Sequence, residues 1–233
     1  MAITEFDSLS AVSVGTSEIS ILSGTTTLQN NTTAGIYQLW VDGITASVAK
    51  GDIFRIQIKE KCLSGSTQRT IMDYYMAHAQ SEVTVFPPLA LLHGWDMTIT
   101  KIAGTDRNFT AGVRLCGSCS EYDSLSAVSV STTEISILSG TTSLQSDTSA
   151  GVYQLVVDGV AASVAAADRF TAKVYDKCLS GGTQRIVHTL NIEGAQSGNL
   201  VTPWLPLLHG WDMTLIKGAG TDRSMTASIR KAA

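Results

Sequence analysis

The octet Leu91–Thr98, LLHGWDMT, recurs letter for letter at Leu207–Thr214. His93 and Asp96 are residue types that form acid–base pairs, and the Trp95 ring could stack on a sugar or a base. Catalysis needs more than that pair. The chain has no G-x-S-x-G elbow, glycine-rich phosphate loop or H-E-x-x-H sequence. His78 and His188 do not occupy equivalent positions, so no histidine-based metal cluster is repeated. The carboxylates that glycoside hydrolysis would pair change between the copies: Glu60 becomes Asp176, Asp73 becomes Thr189 and Glu82 becomes Gly198. These residues point to a protein without catalytic groups, metal or cofactor.

A structural reading explains more of the octet. Leu91-Leu92 is an apolar anchor and His-Gly supplies a turn. Asp96 caps backbone N–H groups, and Trp95 covers the edge of the core. Two readings compete with it: a sugar contact through Trp95 and Trp211 beside Asp96 and Asp212, and hydrolysis by His93 with Asp96.

The elements that carry the octet come twice as well. SLSAVSV occupies Ser8–Val14 and Ser124–Val130, and a shift of 116 positions aligns the rest without a gap. That period is the length of a whole domain, too long for a solenoid unit. The expected organisation is one repeat over 1–116, a short linker over 117–121 and a second repeat over 122–233. Inside each repeat the pattern is β: Phe54, Ile56 and Ile58 alternate with Arg55, Gln57 and Lys59. Ser23-Gly24, Asp42-Gly43, Ser64-Gly65 and Gly104-Thr105-Asp106 mark turns between short runs. The pattern predicts an all-β chain, two tandem copies of one jelly-roll-like sandwich or barrel. A single helical turn is expected at Thr45–Ala49 and its equivalent Ala161–Ala167.

Composition narrows the partners. A net charge of −4 lacks the basic stripe that nucleic acid requires, and no run approaches the roughly 18–20 apolar residues that span a bilayer. Charged residues are sparse at 15%, as on a surface covered by protein neighbours. The N-terminus has acids where a signal peptide has a basic start, so synthesis in a cytoplasm is expected. The N-x-T sequences at Asn30 and Asn108 are lost in the second copy and read as polar loops. Cys62 and Cys178, equivalent by the repeat, are expected to share one structural environment, while Cys116 and Cys119 read as linker residues.

The copies differ on one stretch. Met72–Met76, MDYYM, becomes HTLNI; Phe86-Pro87-Pro88 becomes Thr202-Pro203-Trp204; Trp40 becomes Val156. Drift on a tolerant loop and modules facing different neighbours both account for this. The candidate interaction residues are therefore Trp95, Trp211, Tyr74, Tyr75, Phe86, Trp204 and Trp40.

Taken together, G-D-x-F…K-C-L-S-G-x-T-Q-R (Gly51–Arg69), the octet with its upstream proline, and G-T-D-R with a closing alternating strand resemble small β-barrel virion proteins of bacteriophages that decorate or cement a capsid. Copy two departs from the pattern with Ala167 in place of Gly51. The resemblance implies a structural protein made in the host cytoplasm and located on the capsid surface. It implies the major capsid protein as partner and no catalytic residues. Two linked domains make the second contact intramolecular, worth roughly 10²–10⁴-fold in avidity. Symmetry adds self-association, as a trimer presenting six like domains. The alternative is a carbohydrate- or receptor-binding β module of a spike or tail.

Overall fold

The computed structural model describes residues 3–233, which divide into two compact units, 3–119 together with Ala233, and 120–232. In the first unit the alternating runs become β1 (Thr4–Val14), β2 (Ile19–Ser20), β3 (Gly35–Asp42), β4 (Ile53–Lys61), β5 (Arg69–Ala77), β6 (Thr84–Val85), β7 (Leu89–Leu91), β8 (His93–Ala103) and β9 (Arg107–Gly117). They form two antiparallel sheets. One runs β1-β9-β3-β6, with β7 also paired to β3, and the other runs β2-β8-β4-β5. The chain crosses between sheets at almost every connection and stays within one only at β4–β5, which pair as a hairpin, and β6–β7, which both pair with β3. That winding is a jelly roll.

The second unit repeats this as β10 (Cys119–Val130), β11 (Ile135–Ser136), β12 (Gly151–Asp158), β13 (Arg169–Asp176), β14 (Arg185–Glu193), β15 (Leu200–Val201), β16 (Leu205–Leu207), β17 (Asp212–Ala219) and β18 (Arg223–Ala232). Its sheets run β10-β18-β12-β15, with β16 on β12, and β11-β17-β13-β14.

Period-two alternation sets the interior. Along β3, Tyr37, Leu39 and Val41 are fully buried while Gln38 and Trp40 face outward; Phe54, Ile56 and Ile58 of β4 fill the core from the opposite sheet. Tyr153, Leu155, Val157, Phe170, Ala172 and Val174 occupy the same places in the second unit. Each such side chain taken fully out of water contributes roughly 1.5–3 kcal/mol, less for alanine.

The repeated sequence motifs are ties between connections. Asp52 accepts from the N–H of Ala49 at 2.9 Å and of Thr105 at 2.9 Å, and from Arg107 Nε at 2.8 Å. It thereby fastens the turn before β4 to the β8–β9 connection, which crosses between the sheets. Gly104, at φ +88, has no alternative there: a Cβ would lie 2.2 Å from Asp52 Oδ1. Asp168, Thr221 and Arg223 repeat the arrangement. Gln68 Nε2, from the T-Q-R segment, donates to the carbonyls of Gln29 and Gly94, and Gln184 does the same to Gln145 and Gly210.

Three expectations are refined or corrected by the structure. The short linker expected over 117–121 is almost all strand: β9 ends at Gly117 and β10 begins at Cys119. Cys119 is buried, its thiol 3.1 Å from the Gly35 carbonyl. The segment after β3 is not helical. Asp42 draws the N–H groups of Ile44 and Thr45 onto its carboxylate, and Ser47, at φ 55, ends the turn. Finally, Cys62 is buried but Cys178 is exposed. The β4–β8 ladder runs on to Lys61 and His93, whereas β13–β17 stops at Tyr175 and Asp212, leaving Cys178 beyond the sheet.

Candidate functional site

The octet is built as an interior corner. Both oxygens of Asp96 are occupied by the protein: Ser20 Oγ donates at 2.8 Å, the Gln29 N–H at 2.7 Å and the Met97 N–H at 2.8 Å. Asp212 accepts the same three donors from Ser136, Gln145 and Met213. Burial pushes both carboxyls above the usual carboxylate range, against the pull of these hydrogen bonds. A raised carboxyl suits a general acid only where a substrate can reach it, and both aspartates are fully enclosed. The turn at Leu92-His93 is held by Glu60, whose Oε1 accepts both N–H groups, at 2.5 and 3.2 Å. Asp176 does this for Leu208 and His209. The Glu60-to-Asp176 exchange therefore preserves a cap, a role hidden until strand pairing brings β4 to the octet.

Trp95 and Trp211 are also interior, with no solvent exposure. Trp95 packs against Tyr37 with ring centroids 4.4 Å apart and against Phe6 at 5.6 Å, and its Nε1 donates to the Thr33 carbonyl at 3.0 Å. Trp211 repeats this with Tyr153, Tyr122 and Ser149. Burial pushes the Tyr37 and Tyr153 phenols to about 12. These two tryptophans are cores of their corners, not surface platforms, and they leave the set of interaction candidates. No group of three or more His, Cys, Asp or Glu among the described residues could hold a metal ion.

The other candidates lie in three places. Tyr74 and Tyr75 sit on β5, the outermost strand of its sheet, 40% and 54% exposed. Phe86 is buried and packs edge-on against Tyr74, centroids 5.4 Å apart, so it supports the edge without presenting itself. Strand β14 carries Ile186 and Val187 outward instead, and Trp204 is half-buried just before β16. Trp40 belongs elsewhere, on the outer face of β3. Arg114 of β9 lies over its ring, Cζ 3.6 Å from the centroid, and its Nε1 donates to Gln38 at 3.0 Å. A groove of about 340 Å³ opens beside it, lined by Glu5, Asp42, Val83, Thr110, Gly112 and Arg114 among others. Arg114 and Gly112 escape sequence reasoning because only the β3–β9 register places them against Trp40.

No protein-family model matches the chain, and no curated protein matches its sequence. Among solved structures it is similar to the PBSX exported protein XepA, with a TM-score of 0.32 and 11% identity over 100% of this chain and 86% of that one. The tandem CBM22-1-CBM22-2 domains of Xyn10C from Paenibacillus barcinonensis give 0.28 and 8% over 85% and 79%. PNGase F, a glycosylasparaginase from Flavobacterium meningosepticum, gives 0.32 and 8% over 100% and 89%. At these scores the likenesses carry no functional argument; the all-β fold rests on the chain's own strand order.

Proposed function

We propose that the chain is a non-catalytic structural protein of a virion. In this reading it decorates or cements the capsid, binding the major capsid protein bivalently through its two homologous jelly rolls. One observation carries the reading. Each unit ends one sheet in a nine-residue strand, β5 or β14, paired on one side only and bearing exposed apolar side chains. A long edge of that kind, interrupted by a single bulge at Ile71 or Val187, still offers unpaired backbone groups to another protein. The two edges differ in chemistry, tyrosines in one and aliphatics in the other, as suits one chain meeting similar but non-identical lattice neighbours. The motifs repeated in both units are ties within each unit, which leaves the surface free to vary. Self-association belongs to the same reading, three chains presenting six like units.

The test is binding of the purified protein to assembled coat particles. Saturation at a fixed copy number and a higher melting temperature of the particles are expected. Tyr75→Asp or Val187→Asp alone should weaken binding, and the two together should abolish it. Indifference to every coat assembly offered, or a double variant that binds like the parent, defeats the proposal.

A further inference from the structure

We infer that the groove beside Trp40 in the first unit is a binding site for a neutral pyranose ring of a glycan. This site does not depend on the virion reading and uses neither Trp95 nor Trp211. Its volume lies at the small end of the roughly 300–1,000 Å³ typical of small-molecule sites. The ring is held ready: the indole N–H donates to Gln38 Oε1 at 3.0 Å, and the Arg114 guanidinium covers one face. Along the strand, Arg114 is level with Gln38 on one side of Trp40, while Asp42 and Thr110 pair on the other. Gly112, opposite Trp40 in the ladder, leaves the floor empty, since a Cβ there would meet nothing within 4 Å. An indole beside an open floor accepts the C–H face of a sugar. Arg114 and Glu5, both exposed, supply the donors and acceptors that neighbouring hydroxyls need.

Charge selects among sugars. Two carboxylates, Glu5 and Asp42, share the groove with a single guanidinium. That balance disfavours sialic and uronic acids and leaves neutral hexoses. The second unit has lost the site in two steps that touch each other in the ladder. Val156 replaces the indole, and Ser228 fills the floor with its hydroxyl 3.0 Å from Glu121. Val83, on the rim, becomes Asn199.

The test uses the full chain on an array of neutral and acidic glycans, followed by titration with the methyl glycosides of glucose, galactose and mannose and their oligosaccharides. Binding confined to neutral glycans is expected. Trp40→Val and Gly112→Leu should each weaken it by about tenfold or more with the melting temperature held. Trp204→Phe should leave it unchanged. The second unit already carries valine and a larger side chain at these places, so both variants are compatible with the fold. A blank array, a preference for acidic glycans, or affinity unmoved by both groove variants would overturn the proposal.

Discussion

The two units share a fold, and their differences sort into two kinds. The first kind is compensated. In unit one the corner around Trp95 is dry: Phe6, with Asn31 and Leu115 at the positions that become charged in unit two. There Tyr122 replaces Phe6 and donates its hydroxyl to Asp147 at 2.6 Å, while Lys231 stands over both the Tyr122 and Tyr153 rings. Three exchanges thus form one network. Lys59 pairs with Glu18 in the first unit; in the second the lysine stands two residues earlier as Lys173, with Tyr175 in the vacated place, and both reach Glu134. Arg55 and Asp73, 2.5 Å apart, become Thr171 and Thr189 together. The second kind alters what each unit presents. Trp40, Tyr74 and Tyr75 become Val156, Leu190 and Asn191, and Gly112 becomes Ser228, which donates to Glu121. Exchanges of the first kind maintain local contacts; those of the second change the surface chemistry of one unit relative to the other.

Four experiments break or sharpen this comparison. The largest effect belongs to what the units share. Asp96→Ala in one and Asp212→Ala in the other each strand a hydroxyl and two N–H groups, costing that unit about 3–5 kcal/mol in urea titrations. Losses differing by more than about 1.5 kcal/mol would contradict the equivalence of the corners.

Acid comes next. Hydrogen bonds from the N–H groups of Ala165 and Thr221, with Arg223, hold Asp168 down to about 2. A depressed carboxyl contributes stability that is complete above its unfolded value, near 3.8, and is lost as pH falls through about 2. Asp52 is lowered in the same way. Asp96 and Asp212, raised by burial, act in the opposite sense and partly offset this in mild acid. Melting temperatures measured from pH 6 to 2 should fall steeply only at the acid end, and Asp168→Asn should flatten that limb.

A double-mutant cycle of Tyr122→Phe and Asp147→Asn should give a coupling of about 1–2 kcal/mol. The reverse pair in unit one, Phe6→Tyr with Asn31→Asp, should be better tolerated together than their separate effects imply. Smallest is the strain inside the repeated SLSAVSV segment. Ala11 sits at φ 51, where the bulge in β1 shifts register between Leu9 and Val12, and Ala127 in β10 has the same φ. Ala11→Gly or Ala127→Gly should raise stability by up to about 1 kcal/mol.

Sequence alone made the fold class legible, because alternation along β3, β4 and β9 is a local property and the 116-residue shift is independent of structure. It also placed Leu91 inside and made Asp96 a cap. What it missed was long-range. Trp95 reads as an edge until Phe6, Tyr37 and Thr33 close around it, and those residues come from other connections. Asp96 caps the distant N–H of Gln29 as well as its own turn. The groove depends on the pairing of β3 with β9, which lie far apart in the chain.

That pairing has a consequence for how the chain is made. In each unit the last strand to leave the ribosome, β9 or β18, is inserted between strands made first and third. Neither jelly roll can close until its final residues emerge, so the nascent first unit waits with a slot between β1 and β3. During that wait, and on every unfolding, β18 is a rival for the slot. It arrives on the same polypeptide with the same alternation and nearly the same length. Leu115 in β9 against Lys231 in β18, and Gly112 against Ser228, are differences by which the slot can tell the two strands apart.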